Sequence, residues 1–348
     1  MIDQSEMTWN TTSFLVYRIL LTILGILNFL TSIICISIVA TKSPPAMAIY
    51  RPLLLNILSW SFAASIVQGI LAQFEAYIPL LCVHMNGLLG VLGFGEKVTI
   101  FFAALIVTIY GNIALAAFLP SQFRFMQLYF HDFCKNLPKL VIYGYCILLH
   151  GVTCVVVGTL FVRWTVPVEI VRSQVGNLHP LQYPSVACLS TNLNLKKTLV
   201  IFAFIFIFLL MAVMFTFLAL SIRHLNGQRT HLSHRTFELQ RRLTRNLCIV
   251  TLVPVFFFFL PTLFFIASVT IEHSWASYLY QASELWICSH DFVVSVVTLK
   301  IYRCYRRAFL AVLKSAIYRI LGLKNWLKSN RGQTVTVVQT VADELEQK

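Results

Sequence analysis

The run LVIFAFIFIFLLMAVMFTFLAL, Leu199–Leu220, decides the fold. It holds no charged residue, and its 22 residues reach about 33 Å at the ~1.5 Å rise of a helix. That matches the ~30 Å hydrocarbon core of a bilayer, in which a helix satisfies its own backbone polar groups. Six further runs of this kind follow from the same criterion, approximately Ile19–Ala40, Leu53–Ala72, Val98–Phe118, Leu140–Phe161, Leu247–Val269 and Ala276–Leu299. The last contains Glu284, His290 and Asp291 and qualifies on its length and its Val, Leu and Trp content. The apolar stretch Tyr77–Gly95 is broken by four glycines and runs into Glu96-Lys97, so it reads as an outer loop packed against the bundle or as the lip of the third helix, with an eighth span as the competing reading. The expected fold is an all-α membrane protein, a seven-transmembrane helix bundle.

Composition supports the same reading. Of 348 residues 58% are hydrophobic and 11% charged, with a mean hydropathy of +0.78. An average soluble domain carries about 25% charged residues, so a water-soluble enzyme is excluded. The balance of 27 Lys and Arg against 13 Asp and Glu gives +14. In a soluble chain that excess would suggest nucleic acid; in a membrane protein it reports sidedness. Segments 41–52, 119–139, 221–246 and the tail from Lys300 hold 21 of the 27 basic residues, and the alternate set holds six. The positive-inside rule then places the N-terminus outside and the C-terminus in the cytoplasm. Residues 1–18 become an extracellular N-terminal segment, in which Asn10-Thr11-Thr12 is a glycosylation sequon at Asn10. That segment has no basic n-region with a small-residue cleavage site, so the first span is expected to act as the targeting signal. The two halves show no internal repeat, which argues against a transporter built on inverted repeats.

Of the nine cysteines, only Cys82 and Cys188 fall on the outer side. Two cysteines left together in an oxidising compartment are expected to form a disulfide.

The cytoplasmic edge carries more than charge. The segment Arg235–Arg245 runs into the sixth span without Gly or Pro, and Leu239, Leu243 and Leu247 recur every fourth residue. The sixth helix should therefore continue beyond the membrane with Arg241, Arg242 and Arg245 turned away from that stripe. Lipid phosphates are one partner for such arginines, and a cytoplasmic signalling protein is another.

Four motifs in order carry a resemblance. Lys42-Ser-Pro-Pro-Ala-Met-Ala-Ile-Tyr50-Arg51-Pro-Leu-Leu-Leu-Asn56 and the following Trp60 resemble the first inner loop and second helix of nematode serpentine chemoreceptors. These belong to the Str superfamily, near its Srh and Sri families. Phe118-Leu-Pro-Ser-Gln-Phe-Arg124 is similar to the end of their third helix. Ser233-His-Arg-Thr236-Phe-Glu-Leu239-Gln240, continuing to Pro254 and Pro261, is similar to their sixth-helix signature. Tyr302-Arg303-Cys304-Tyr305-Arg306 is similar to their Pro-Tyr-Arg ending, with Cys304 in place of the proline. The resemblance covers roughly residues 15–315. Asp-Arg-Tyr after the third helix, Cys-Trp-x-Pro in the sixth and Asn-Pro-x-x-Tyr in the seventh are absent, so the chain is not close to rhodopsin-like receptors. What the resemblance implies is a chemosensory G-protein-coupled receptor for odorant or pheromone molecules. It would signal through a heterotrimeric G protein from the plasma membrane of a sensory neuron, at its cilium.

Ionisable residues at bilayer depth are functional hypotheses. Glu284 and Asp291 lie seven residues apart, nearly on one face of the seventh helix. Glu284, about 13 Å below the outer end, is the expected ligand contact. Asp291 is expected to tie the seventh helix to Asn56 on the second. Arg124, Arg241, Arg242, Arg245 and Arg306 are the expected G-protein-facing residues. Glu96 and Lys97 are expected to cap the mouth of the third helix, and His150 to be a packed polar side chain. Beyond the last span, 300–328 reads as a juxtamembrane amphipathic helix on anionic lipid, with Cys304 as a palmitoylation site. Residues 329–348 read as a disordered tail.

Two other classes compete. An odorant-gated ion channel resembling insect odorant receptors would have the opposite topology. An intramembrane metal hydrolase needs several His and Asp converging on one metal. His150 and the adjacent His290-Asp291 pair are the sole resource for it. The residues imply no enzyme activity, no cofactor and no metal.

Overall fold

A computed structural model describes residues 11–44, 47, 50–130, 138–176, 179–190, 193–230, 233–270 and 276–320. Asn10, Cys134 and everything beyond residue 320, including the expected tail, lie outside the described residues.

Seven helices are long and apolar enough to cross a membrane: Thr12–Lys42, Tyr50–Ala72, Glu96–Tyr129, Leu140–Trp164, Phe204–Thr230, His234–Ser268 and Ala276–Ile301. All seven expected spans are present, and several outrun them. The third continues to Tyr129, eleven residues past the expected end at Phe118, because nothing between them breaks a helix except Pro120, which it absorbs. The sixth begins at His234, capped by Ser233, whose Oγ accepts from the Thr236 backbone at 3.3 Å. The expected extension of that helix is therefore formed. Its stripe is only half buried, with Leu247 inside and Leu239 exposed, while Phe237 turns inward instead.

Hydropathy and position in the bundle run against each other. The second, third and seventh helices have 56%, 50% and 50% of their apolar windows buried, against 6% and 17% for the fourth and fifth. Lipid tails are as apolar as leucine, so helices associate in a bilayer through close packing and polar contacts rather than hydrophobicity. The centre accordingly holds the small and polar residues. Gly25 and Gly69 let the first two helices meet backbone to backbone: a Cβ on Gly69 would come within 2.7 Å of the Gly25 Cα. The main apolar core joins Ile57, Leu58, Ala116, Val253 and Val294 to Tyr302 and Tyr305, just beyond the seventh helix.

Two helices depart from α geometry. The second ends in a π-turn, Val67–Ala72, and the sixth has a π-turn at Val255–Phe259, directly after Pro254. The second helix then stops at Gln73, in the left-handed region with φ 45°. That conformation is held by its side chain, whose Nε2 donates to the Gly69 carbonyl at 2.8 Å and to Thr22 Oγ1 at 2.9 Å.

The segments before the third span and between the fourth and fifth meet in a feature the sequence reading did not contain, a four-stranded antiparallel sheet. β1 (Phe74–Tyr77), β2 (Cys82–Met85), β3 (Thr165–Val166) and β4 (Val186–Leu189) take the order β1-β2-β4-β3. Cys82 stands opposite Cys188 in the β2–β4 ladder, and the two form the expected disulfide. The apolar Tyr77–Gly95 stretch thus packs on the bundle as a hairpin and a short helix. Ala76 of β1 and the nearby Ile78 rest on Ala276 and Tyr280 at the start of the seventh span. We call this the sheet end and the other, where most Lys and Arg collect, the basic end. There the helix Arg303–Ile320 follows the seventh span, and Tyr305 Oη lies 2.7 Å from Ser43 Oγ at the end of the first.

Candidate functional site

The seventh span organises the interior. Asp291 is 4% exposed, and its carboxylate accepts from Ser32 Oγ at 2.9 and 3.0 Å and from Ser65 Oγ at 2.5 Å. One turn above, Asn28 Nδ2 donates to the Cys288 carbonyl at 2.7 Å; one turn below, Cys35 Sγ meets the Ser295 carbonyl at 3.7 Å. Polar residues at 28, 32 and 35 face 288, 291 and 295, so the first and seventh helices run parallel in a fixed register.

Asn56, the expected partner of Asp291, is elsewhere. Its Nδ2 lies 2.9 Å from His150 Nε2, and His150 Nδ1 lies 2.6 Å from Asn112 Oδ1. This arrangement fits a neutral imidazole that donates from Nδ1 and accepts at Nε2. The correction has a geometric reason. Nine residues separate Asn56 from Ser65, and at ~100° per residue they fall on opposite faces of the second helix. Ser65 faces the seventh span, and Asn56 faces the third and fourth.

Glu284, 6% exposed, accepts from Tyr110 Oη of the third span at 2.9 Å. The Tyr110 ring meets Phe258 edge-on at 5.5 Å, within the π-turn of the sixth span. Below Tyr110 lies a cavity of about 20 Å³, bounded by Ser61, Ser65, Phe258, Ile287, His290 and Asp291. That is room for about one water molecule. Ser61 Oγ and His290 Nε2, both on its wall, have no hydrogen-bond partner among the described residues, nor do both amide atoms of the buried Gln68. π-turns inside helices occur frequently at functional sites. Here one sits where the third, sixth and seventh spans converge on two carboxylates.

The basic end has its own buried polar cluster. Arg124, one of the expected G-protein-facing residues, is 2% exposed. The third helix continues past it, so its side chain points across the bundle to the sixth. Nε and Nη2 donate to Thr244 Oγ1 at 2.9 and 2.7 Å, Nη2 to the Gln240 carbonyl at 3.2 Å, and Nη1 to Tyr50 Oη at 3.3 Å. Tyr50 in turn donates to Gln127 at 2.6 Å. Around this cluster Arg241, Arg242, Arg245 and Arg306 are exposed, and Arg241 is 3.7 Å from Glu238.

At the sheet end, Glu75 and His84 face each other across β1–β2, with His84 stacked on Tyr183 at 4.6 Å. Asn86 donates to Glu75. Burial pushes the Glu75 carboxyl up to about 7, against the pull of Arg18 and the Asn86 hydrogen bond, and pushes His84 down to about 4. Between about pH 4 and 7 their 4.0 Å approach is therefore a contact between neutral groups rather than an ion pair. Glu96 at the third-helix mouth accepts from the Val168 backbone N–H at 3.0 Å, which makes it a cap for the neighbouring short helix.

Sequence reasoning missed Ser32, Ser65, Tyr110 and Thr244. A signal existed for Ser32: Asn28 and Ser32 fall one turn apart in an otherwise apolar first span. Tyr110 and Thr244 carried none, because their roles depend on which helix faces which. Among the described residues no three of His, Cys, Asp and Glu gather as metal ligands would.

No curated protein matches the sequence at a significant level. The family of serpentine-type seven-transmembrane G-protein-coupled chemoreceptors designated Srh matches residues 12–315. That range holds all seven spans, the sheet, both polar clusters and the start of the final helix. The chain belongs to the Srh family of serpentine seven-transmembrane chemoreceptors.

Proposed function

We propose that this receptor sits with its sheet end outside, detects a small odorant or pheromone molecule, and activates a heterotrimeric G protein at its basic end. The observation that carries this reading is the buried Arg124, which fastens the third span to the sixth through Thr244 and Gln240. A guanidinium held by neutral oxygens, with no carboxylate partner among the described residues, is a latch that a modest rearrangement releases. The ligand acts at the Glu284–Tyr110 pair. Tyr110 touches the π-turn of the sixth helix, so a ligand that displaces Tyr110 repacks Phe258 and moves the segment that carries Thr244. Release opens the end of the bundle where Arg241, Arg242 and Arg245 stand exposed, ready to meet acidic or carboxylate groups of the G protein. The plasma membrane of a sensory cilium is the corresponding location.

The test is a screen of small odorants, ascarosides and peptides on cells expressing the chain with a promiscuous Gα. Replacing Arg241 and Arg242 together by Ala should lower agonist-driven activation several-fold while surface expression stays intact. Unchanged activation would remove those arginines from the contact. Asn10 glycosylation, assayed by glycosidase treatment, checks the orientation.

A further inference from the structure

A groove of about 250 Å³ runs down the outside of the basic end, between the first span, the seventh span and the final helix. Ile34, Val296, Leu299 and Phe309 form its wall, and Lys300 and Arg306 stand at its mouth. Thr31, at its inner limit, is eleven residues short of the end of the first helix at Lys42, which is about 16 Å along the axis. The Thr31 hydroxyl is turned to its own backbone, donating to Leu27 O at 2.8 Å, so the groove offers no polar contact at depth. The two cations are exposed and have no ion-pair partner among the described residues; Glu238, on the sixth helix, stands with Arg241. The shape is therefore an apolar slot reaching into the bilayer, topped by two positive charges at headgroup level.

We propose that this groove is a binding site for one anionic phospholipid, with an acyl chain along Ile34, Val296 and Phe309 and the phosphate between Lys300 and Arg306. Charge complementarity selects this occupant over a zwitterionic lipid. Basic side chains next to an anionic leaflet each strengthen attachment about fivefold, so the pair gives roughly 25-fold. The seat has a consequence for the receptor, because it bridges the seventh span and the final helix, which Tyr305 and Ser43 tie to the first. A lipid there holds the three elements together at the end of the bundle assigned above to the G protein. Only the choice of leaflet rests on that assignment.

The experiment extracts the full chain from vesicles of phosphatidylcholine with one tenth phosphatidylserine and measures the retained lipid by native mass spectrometry. The expected result is one retained lipid per receptor, with a ratio of phosphatidylserine to phosphatidylcholine at least tenfold above that of the vesicle. Lys300→Gln with Arg306→Gln should reduce the enrichment to the bulk ratio, and Val296→Trp should expel the lipid with both charges in place. Arg303→Gln with Arg307→Gln removes two exposed charges beside the groove and should leave the enrichment unchanged. Cys304→Ser should leave it unchanged as well. Retention at the bulk ratio by the native chain would overturn the proposal. Equal loss in the Arg303/Arg307 variant would reduce the effect to a general basic face, and phosphatidylserine retained by Cys304→Ser but not by the native chain would give the groove to a thioester-linked chain. Each of those results overturns it too.

Discussion

The fifth and seventh spans stand at opposite poles of this molecule. The fifth has a mean hydropathy of 2.8 and 17% of its window buried, and the seventh has 1.2 and 50%. The fifth turns Phe204, Phe206 and Phe208 outward, where lipid solvates them at no cost. The seventh contains Glu284, His290 and Asp291, each of which would be costly against lipid and is buried within the bundle. A run that announces the membrane most clearly therefore says least about what the protein does there. The run that barely qualifies as a span marks the centre.

Three sets of substitutions put that contrast at risk. The largest effect belongs to Asp291→Leu, which strips Ser32 and Ser65 of their acceptor. At roughly 0.6–1.7 kcal/mol for each intramembrane hydrogen bond, stability should fall by about 1–3 kcal/mol. A lowered melting temperature of the purified chain would register it, with Asp291→Asn, which keeps an acceptor, losing less. Native-like melting of Asp291→Leu would deny the seventh span its organising role.

A second, smaller effect concerns the sheet that rests on the start of the seventh span. Glu75 has its folded pKa raised from 4.5 to about 7, so its stabilising contribution is complete below 4.5 and disappears as pH rises through 7. His84 is lowered from 6.5 to about 4, so its contribution is complete above 6.5 and disappears as pH falls through 4. Between about 4.5 and 6.5 the two slopes oppose each other and the native sheet should be nearly insensitive to pH. Glu75→Gln should expose a stability that rises with pH over that window, and His84→Gln one that falls. Each slope is bounded by about 1.4 kcal/mol per pH unit. Melting curves at pH 5, 6 and 7 distinguish them, and parallel profiles for both variants would refute the opposition.

The smallest effect is expected at the other pole. Phe206→Leu in the fifth span exchanges one lipid-facing apolar side chain for another and should change stability by less than about 0.5 kcal/mol. A loss comparable to that of Asp291→Leu would erase the difference between the two spans.

The same contrast explains what the sequence disclosed. Charge-free length is a local property, so all seven spans were legible, and so was the helical run through Arg235–Arg245 into the sixth. The Cys82–Cys188 bridge was legible because sidedness left those two cysteines together. The sheet was not, since β2 and β4 pair across a separation of 106 residues and neither strand shows a hydrophobic alternation by itself. Glu284 and Asp291 stood out as costly residues, yet their partners Tyr110, Ser32 and Ser65 are ordinary residues given a role by helix rotation. Arg124 was legible as a residue at the inner end of the third helix facing the G protein, but its burial was not, because which helix its side chain reaches depends on how the helices are rotated. Asn56 was paired across the wrong face for the same kind of reason: a one-dimensional reading supplies depth but not azimuth.

The central claim is that Arg124 and Thr244 hold the basic end closed. The most direct measurement is nucleotide exchange on a purified G protein, without agonist, in membranes carrying native receptor or Thr244→Val at equal surface density. Removing the acceptor of two guanidinium hydrogen bonds, each about 1 kcal/mol net, should raise agonist-independent exchange about five- to thirty-fold. Exchange equal to that of the native receptor would contradict the claim.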